Sequence, residues 1–283
     1  MKKEKILIAG GDLRQIYCAQ RLSRDFEVCY TGFDDTAFKE ISGVQPASEK
    51  CRFAVLPVPP PDEAGKLFSP LYSGELTVSA VENLLTEDAV IFTGTAEKKT
   101  AAFFPSHEIS AYMDREELAI KNAVPTAEAA VMLALERLSV TLNGLPVLIV
   151  GLGRIGMALA QILKGFGSRV TAAVRNEKGA AKAAAMGIES ISTEDINGDY
   201  CLVFNTVPRL VLSGYMLEKF PKDTLFIDLA SKPGGMDFKA ADKLGIRYIH
   251  ALGLPGKNAP VSAGYAEAET VIGMINERGN DYE

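Results

Sequence analysis

Histidine is nearly absent from this chain. His107 and His250 are the only two in 283 residues. They are too few and too far apart in sequence for a histidine-based zinc site. Cysteine is sparse as well. Cys18, Cys29, Cys51 and Cys201 are scattered without metal or redox spacing, and three lie in apolar patterns. Buried, reduced thiols in a cytosolic protein are therefore expected. Basic excess is missing too: the formal net charge is −6, which argues against a nucleic-acid partner. No apolar run is read as reaching the length of a membrane span. The start, Met1-Lys-Lys-Glu-Lys5, leads into a short strand, Ile6 to Ala9, without the apolar region and cleavage site of a secretory leader. A cytoplasmic chain with no membrane partner is the expectation.

What remains is an ordinary globular composition, 47% apolar and 23% charged, long enough for two domains. Strand and helix patterns alternate throughout, which predicts an α/β fold of two doubly wound parallel-sheet domains. The first half predicts five strands, near Lys5–Gly10, Glu27–Thr31, Phe53–Pro57, Ala89–Thr93 and Ile109–Met113. Between them lie helical patterns at Leu13–Ser23, weakly at Asp35–Ile41, and at Ala80–Leu85 and Glu97–Phe104. This predicts a flavodoxin-like substrate domain over 1–125, joined by a C-terminal helix within 260–283. Asp114-Arg-Glu-Glu117 reads as a capping box for a short helix to Asn122. Val124-Pro-Thr126 then reads as a break, with Thr126 capping a long connector helix to about Leu142.

The second half predicts six strands: Leu145–Val150, Arg169–Val174, Gly187–Ile191, Tyr200–Thr206, Thr224–Leu229 and Arg247–Leu252. That is a full dinucleotide-binding sheet over 126–259, with expected order 3-2-1-4-5-6. Its first strand runs into Gly151-Leu-Gly-Arg-Ile-Gly156, a G-x-G-x-x-G pattern in strand–turn–helix context. Gly151 allows the tight turn, Gly153 lets the backbone approach a pyrophosphate, and Gly156 lets helix and strand pack closely. The helix start at Arg154 and Ile155 faces the phosphate charge. The second strand ends in Arg175-Asn176, where an NAD site usually places an acid about 20 residues on. An arginine offers a planar fork for a 2′-phosphate, so the cofactor is read as NADP.

Other loops at strand ends carry further candidates. Gly10-Gly-Asp-Leu-Arg14 lacks a third glycine, and Arg14 reads either as a carboxylate ligand or as part of a plain turn. Asn205, Thr206 and Pro208 end the fourth strand of the cofactor domain, where the first two would bond the ribose or carboxamide. Asp228-Leu-Ala-Ser-Lys-Pro-Gly-Gly-Met-Asp237 presents Ser231 and Lys232. Gly253-Leu-Pro-Gly-Lys-Asn-Ala-Pro260 reads as a rigid loop carrying Lys257. Thr95, Lys98 and Lys99 are expected across the same cleft. Several cations around one cleft in an acidic protein predict a small anionic substrate. His250 lies inside a strand and reads as packed.

Together these segments, with Asn122-Ala-Val-Pro-Thr-Ala-Glu128 and Ala251–Gly264, resemble the A subunits of dipicolinate synthase over nearly the whole chain. The resemblance implies an NADP-dependent oxidoreductase acting on a CH–CH group. It would oxidise dihydrodipicolinate to dipicolinate in the mother cell of sporulating bacteria, and its implied partner is the separate dipicolinate synthase B subunit. Arg14 and Lys232 would then hold a small dianionic substrate, with Ser231 or Lys257 handling the proton; self-association stays open. Three other readings stay open beside it. A D-2-hydroxyacid dehydrogenase has a similar layout, but its arginine and histidine are not in place here. A shikimate-dehydrogenase-like enzyme shares the Asn205-Thr-Val-Pro208 and Arg175-Asn176 features. The third is a nucleotide-binding protein without catalysis of its own.

Overall fold

The computed structural model describes residues 3–95 and 97–280, so Ala96 in the Gly94–Lys99 loop and residues 281–283 of the expected C-terminal helix lie outside the described residues. The chain divides into two compact units, Met1–Asn122 with Ala259–Glu283, and Ala123–Asn258.

The first unit runs β1 (Lys5–Ala9), α1 (Leu13–Leu22), β2 (Glu27–Thr31), β3 (Val44–Pro46), β4 (Cys51–Val55), α2 (Val78–Glu82), β5 (Leu85–Thr93), α3 (Glu97–Ala101) and β6 (Glu108–Ala111). Every pairing is parallel, and the order is β3-β2-β1-β4-β5-β6. This corrects the flavodoxin-like expectation, whose order would be 2-1-3-4-5. The sixth strand is the three-residue edge Val44–Pro46, pairing Val28 with Val44 and Tyr30 with Pro46. It is too short to show a period, and its proline is tolerated because it lies on an edge.

The next helix, α4 (Glu116–Arg137), is a second correction. It runs unbroken through Pro125. Proline lacks the N–H that would bond the Lys121 carbonyl, a local cost of roughly 3 kcal/mol. Apolar burial along the helix offsets it: Leu118, Ala123, Ala127, Ala130, Val131 and Ala134 are each less than 5% exposed. Read as one element, α4 also has the length and composition that would cross a membrane, which splitting it at Pro125 concealed.

The second unit continues with β7 (Pro146–Val150), α5 (Arg154–Gly165), β8 (Arg169–Val174), α6 (Glu177–Ala185), β9 (Glu189–Ser192), β10 (Leu202–Asn205), α7 (Gly214–Leu217), β11 (Leu225–Asp228), α8 (Phe238–Leu244), β12 (Arg247–His250) and α9 (Leu254–Asn258). The order β12-β11-β10-β7-β8-β9 is the expected dinucleotide-binding order, again all parallel. α9 occupies most of what reads in sequence as a rigid loop, and α10 (Pro260–Asn280) belongs to the first unit.

Both sheets are covered on two faces, so their strands read as apolar runs. Alternate residues feed opposite cores. Val147, Ile149, Phe204 and Ile227 enter one, while Leu148, Val150, Val203 and Phe226 enter the other. In the first sheet Ile6, Ile8, Phe53 and Val55 oppose Leu7, Ala9, Ala54 and Leu56. Cys18, Cys29 and Cys51 are buried free thiols, and Cys201 is exposed.

Candidate functional site

The three glycines after β7 have three separate physical duties. Gly151 sits at φ +89°, and a Cβ there would press on Val207 and Thr206. Its backbone N–H donates to Ala173 at 2.9 Å, which ties the turn to β8. Gly153 has open space around its missing side chain and leads into α5 with no side-chain cap on the helix. Gly156 lies directly beneath the Gly151 carbonyl, which a Cβ would strike. An uncapped helix start beside an open backbone position is the arrangement that accepts a phosphate group.

In front of this turn lies a groove of about 470 Å³. Gly151, Gly153, Arg175 and Pro208, each expected from the sequence as a cofactor contact, line it. Arg154, Ile155 and Gly156 form the first turn of α5. Three further cations line the same groove: Lys178, Lys182 and Arg209. Among the described residues no aspartate or glutamate lines it. The signal for the lysines is an i, i+4 pair behind Arg175 on α6, a spacing that puts both on one helix face.

Asn205 and Thr206 serve the site from below. Asn205 is 1% exposed, so the expected bond from its side chain to the cofactor is corrected. Its amide donates to the Val207 carbonyl at 3.1 Å and to Asp228 at 3.0 Å, and its oxygen accepts from Val207 N–H. The Thr206 hydroxyl reaches the Val150 and Gly151 carbonyls at 3.0 and 3.1 Å, committing it to the glycine turn. Sequence reasoning misses Asp228 as a functional side chain. This carboxylate, 1% exposed, accepts from Asn205, Ala230 N–H and Gly235 N–H. It pins the loop after β11 to the loop after β10. An acid ending a buried apolar strand is the signal that could have found it.

Ser231 and Lys232 are exposed in that loop, and Lys257 is exposed on α9. His250 is the last residue of β12. Its ring stacks on Phe238 at 4.7 Å and lies 3.2 Å from the Ala230 carbonyl.

Arg14, in the first unit, is not available for a substrate carboxylate. Its guanidinium grips Asp12 at 2.9 Å and reaches the buried Glu267 of α10 at 3.4 Å. Burial opposes its charge, and these two carboxylates restore it. Burial pushes the Glu267 carboxyl up to about 7, with Arg14 pulling the other way. Gln15 is 3% exposed and donates toward Tyr112 Oη and Glu267.

The turn after β1 has its own occupant. Gly11 N–H donates to the Phe68 carbonyl at 2.8 Å, and a Cβ on Gly10 or Gly32 would strike Leu76. Asp12 caps α1 by accepting from Arg14 N–H. Asp34, beyond the end of β2, accepts from the Ser73 N–H at 3.1 Å and hydroxyl at 2.8 Å. The segment from Lys66 to Thr77, which closes on itself by a bridge between those residues, thus covers the turn.

Comparison with known proteins bears on both units. Residues 5–113 match the N-terminal domain of the dipicolinate synthase A subunit, and residues 122–231 match the NAD binding domain of D-isomer specific 2-hydroxyacid dehydrogenases. The dipicolinate synthase A subunit of Bacillus subtilis (strain 168) is 31% identical over 286 residues, 96% of each chain. This chain belongs to the family of dipicolinate synthase A subunits. Solved structures of the family agree. The A subunit from Bacillus halodurans superposes with a TM-score of 0.87 at 30% identity, covering 96% of this chain and 98% of its own. The one from Bacillus subtilis gives 0.88 at 28%, covering 99% and 98%. The second unit is an NAD-binding dehydrogenase domain. The open glycine position, uncapped helix and acid-free groove fit a nicotinamide dinucleotide.

Proposed function

We propose that this chain is the A subunit of a dipicolinate synthase, oxidising dihydrodipicolinate to dipicolinate with NADP⁺ in partnership with a B subunit. Four cations and, among the described residues, no carboxylate lining one groove of an acidic protein carry the choice of NADP. An NAD site would place an acid near the ribose 2′-hydroxyl, whereas a 2′-phosphate calls for cations there. The bound dinucleotide supplies a hydride acceptor. The substrate gives up that hydride and one proton from a CH–CH unit, and aromatisation favours the reaction.

The protein's task is then to orient ring and cofactor and to receive the proton. Ser231 and Lys257 are proposed to handle the proton, and Lys232 to hold a substrate carboxylate. Arg14 has no place in this set, because Asp12 and Glu267 hold it. The proposed setting is the cytoplasm of the mother cell during sporulation.

The test mixes the purified chain with freshly made dihydrodipicolinate and NADP⁺ and follows NADPH and dipicolinate by ultraviolet absorbance. Product from the chain alone, or only with the B subunit, supports the reading and says which chain completes the site. No product in either case, with turnover of a 2-hydroxy acid or shikimate instead, overturns it.

A further inference from the structure

Arg175, Lys178 and Lys182 reach the groove from one stretch of chain, and their settings differ. Arg175 and Lys178 are exposed, whereas Lys182 is half-buried. The Lys182 ammonium lies 3.4 Å from the Leu152 carbonyl, inside the glycine turn. It therefore spans from α6 to the turn that faces a pyrophosphate. One long hydrogen bond leaves most of a lysine's three donors for another acceptor.

α6 itself is held in place. Gly179 packs so closely on Val174, at the end of β8, that a Cβ would sit 2.7 Å from the valine's Cβ. At the start of α6 the Gly179 N–H is already taken, donating to the Asn176 side chain at 3.0 Å. A phosphate on the ribose at the end of β8 would thus find three side-chain cations close by. The half-buried one, anchored by a packed helix, loses least freedom in binding it.

Resting on the dinucleotide reading above, we propose that Lys182 is the residue that sets the preference for a 2′-phosphorylated nucleotide. It leaves the Leu152 carbonyl to bind the 2′-phosphate. NAD carries no group there to take up the ammonium.

The competing role for Lys182 is support of the pyrophosphate through the glycine turn. NADPH and NADH share the pyrophosphate and differ in the 2′-phosphate, so their ratio separates the two. Dissociation constants would be measured for NADPH, NADH, 2′,5′-ADP and 5′-ADP on the full chain, on Lys182→Met and on Lys182→Arg. Melting temperature serves as the check on folding. Loss of one charge-assisted bond predicts that Lys182→Met binds NADPH and 2′,5′-ADP about 10- to 100-fold more weakly. NADH and 5′-ADP should be unchanged, and Lys182→Arg should keep the preference. An equal loss for NADPH and NADH, or no loss for either, overturns the proposal. A wild-type chain that binds both equally removes the NADP reading itself, before any variant is made.

Discussion

The two units fold the same strand order and treat its central turn in opposite ways. After β7 the chain leaves Gly153 open and the start of α5 uncapped, with cations around the groove. After β1 the equivalent turn is filled. Phe68 takes the Gly11 N–H, Leu76 lies against Gly10 and Gly32, and Asp12 caps α1. Asp34 stands near the end of β2, where a ribose-binding acid would be sought, yet it holds Ser73. Strand order alone therefore does not make a nucleotide site. The site has a helix start without a side-chain cap, and space in front of it. Carboxylates are divided in the same way. Asp12 and Glu267 sit about Arg14 in the first unit, whereas among the described residues no acid lines the groove of the second.

The largest expected effect comes from closing the open turn. Gly156→Val should drive a side chain into the Gly151 carbonyl, remove dinucleotide binding and cost about 3 kcal/mol or more of stability. Gly153→Ala should leave the melting temperature near wild type and still weaken NADPH binding about tenfold, since only the ligand meets the new methyl group. Equal binding by Gly156→Val would break the link between the glycine contact and the groove.

Next is the pH dependence of the first unit. Glu267, raised to about 7, keeps its proton in the folded chain where the unfolded chain has lost it. Its contribution is thus fully present below about 4.5 and is lost as pH rises through about 7, on the order of 3 kcal/mol in all. Thermal unfolding followed from pH 4.5 to 8 should show this decline, and Glu267→Gln should flatten it. An unchanged slope in the variant would mean that another group titrates.

Asp228→Asn should cost about 2 kcal/mol, because one amide oxygen replaces two oxygens serving three donors. Denaturant unfolding measures it. Ser73→Ala should cost about 1 kcal/mol by the same assay, and nucleotide stoichiometry should stay at one per chain. A second nucleotide bound by that variant would show that the covering segment alone closes the first turn.

Much of this is legible in the residues. Alternating strand and helix patterns place eleven of the twelve strands among the described residues, and apolar runs mark the central ones. Gly151, Gly153 and Gly156 have surroundings that match the duties their spacing implies. Three things stay hidden because they depend on distant partners. β3 exists through its pairing with β2. α4 survives Pro125 through burial on both sides of it. Arg14 looks like an available cation because its buried second partner, Glu267, is 253 residues away. Asn205 misleads for a related reason: a polar residue at a strand end can serve a ligand or its own loop, and its partner Asp228 lies on the next strand.

The central claim is a single NADP-type site, built on the turn after β7. Isothermal titration of NADPH and NADH onto the full chain tests it most directly. The account predicts one nucleotide per chain, with NADPH at least about tenfold tighter than NADH. Two nucleotides per chain, or NADH the tighter ligand, would contradict it.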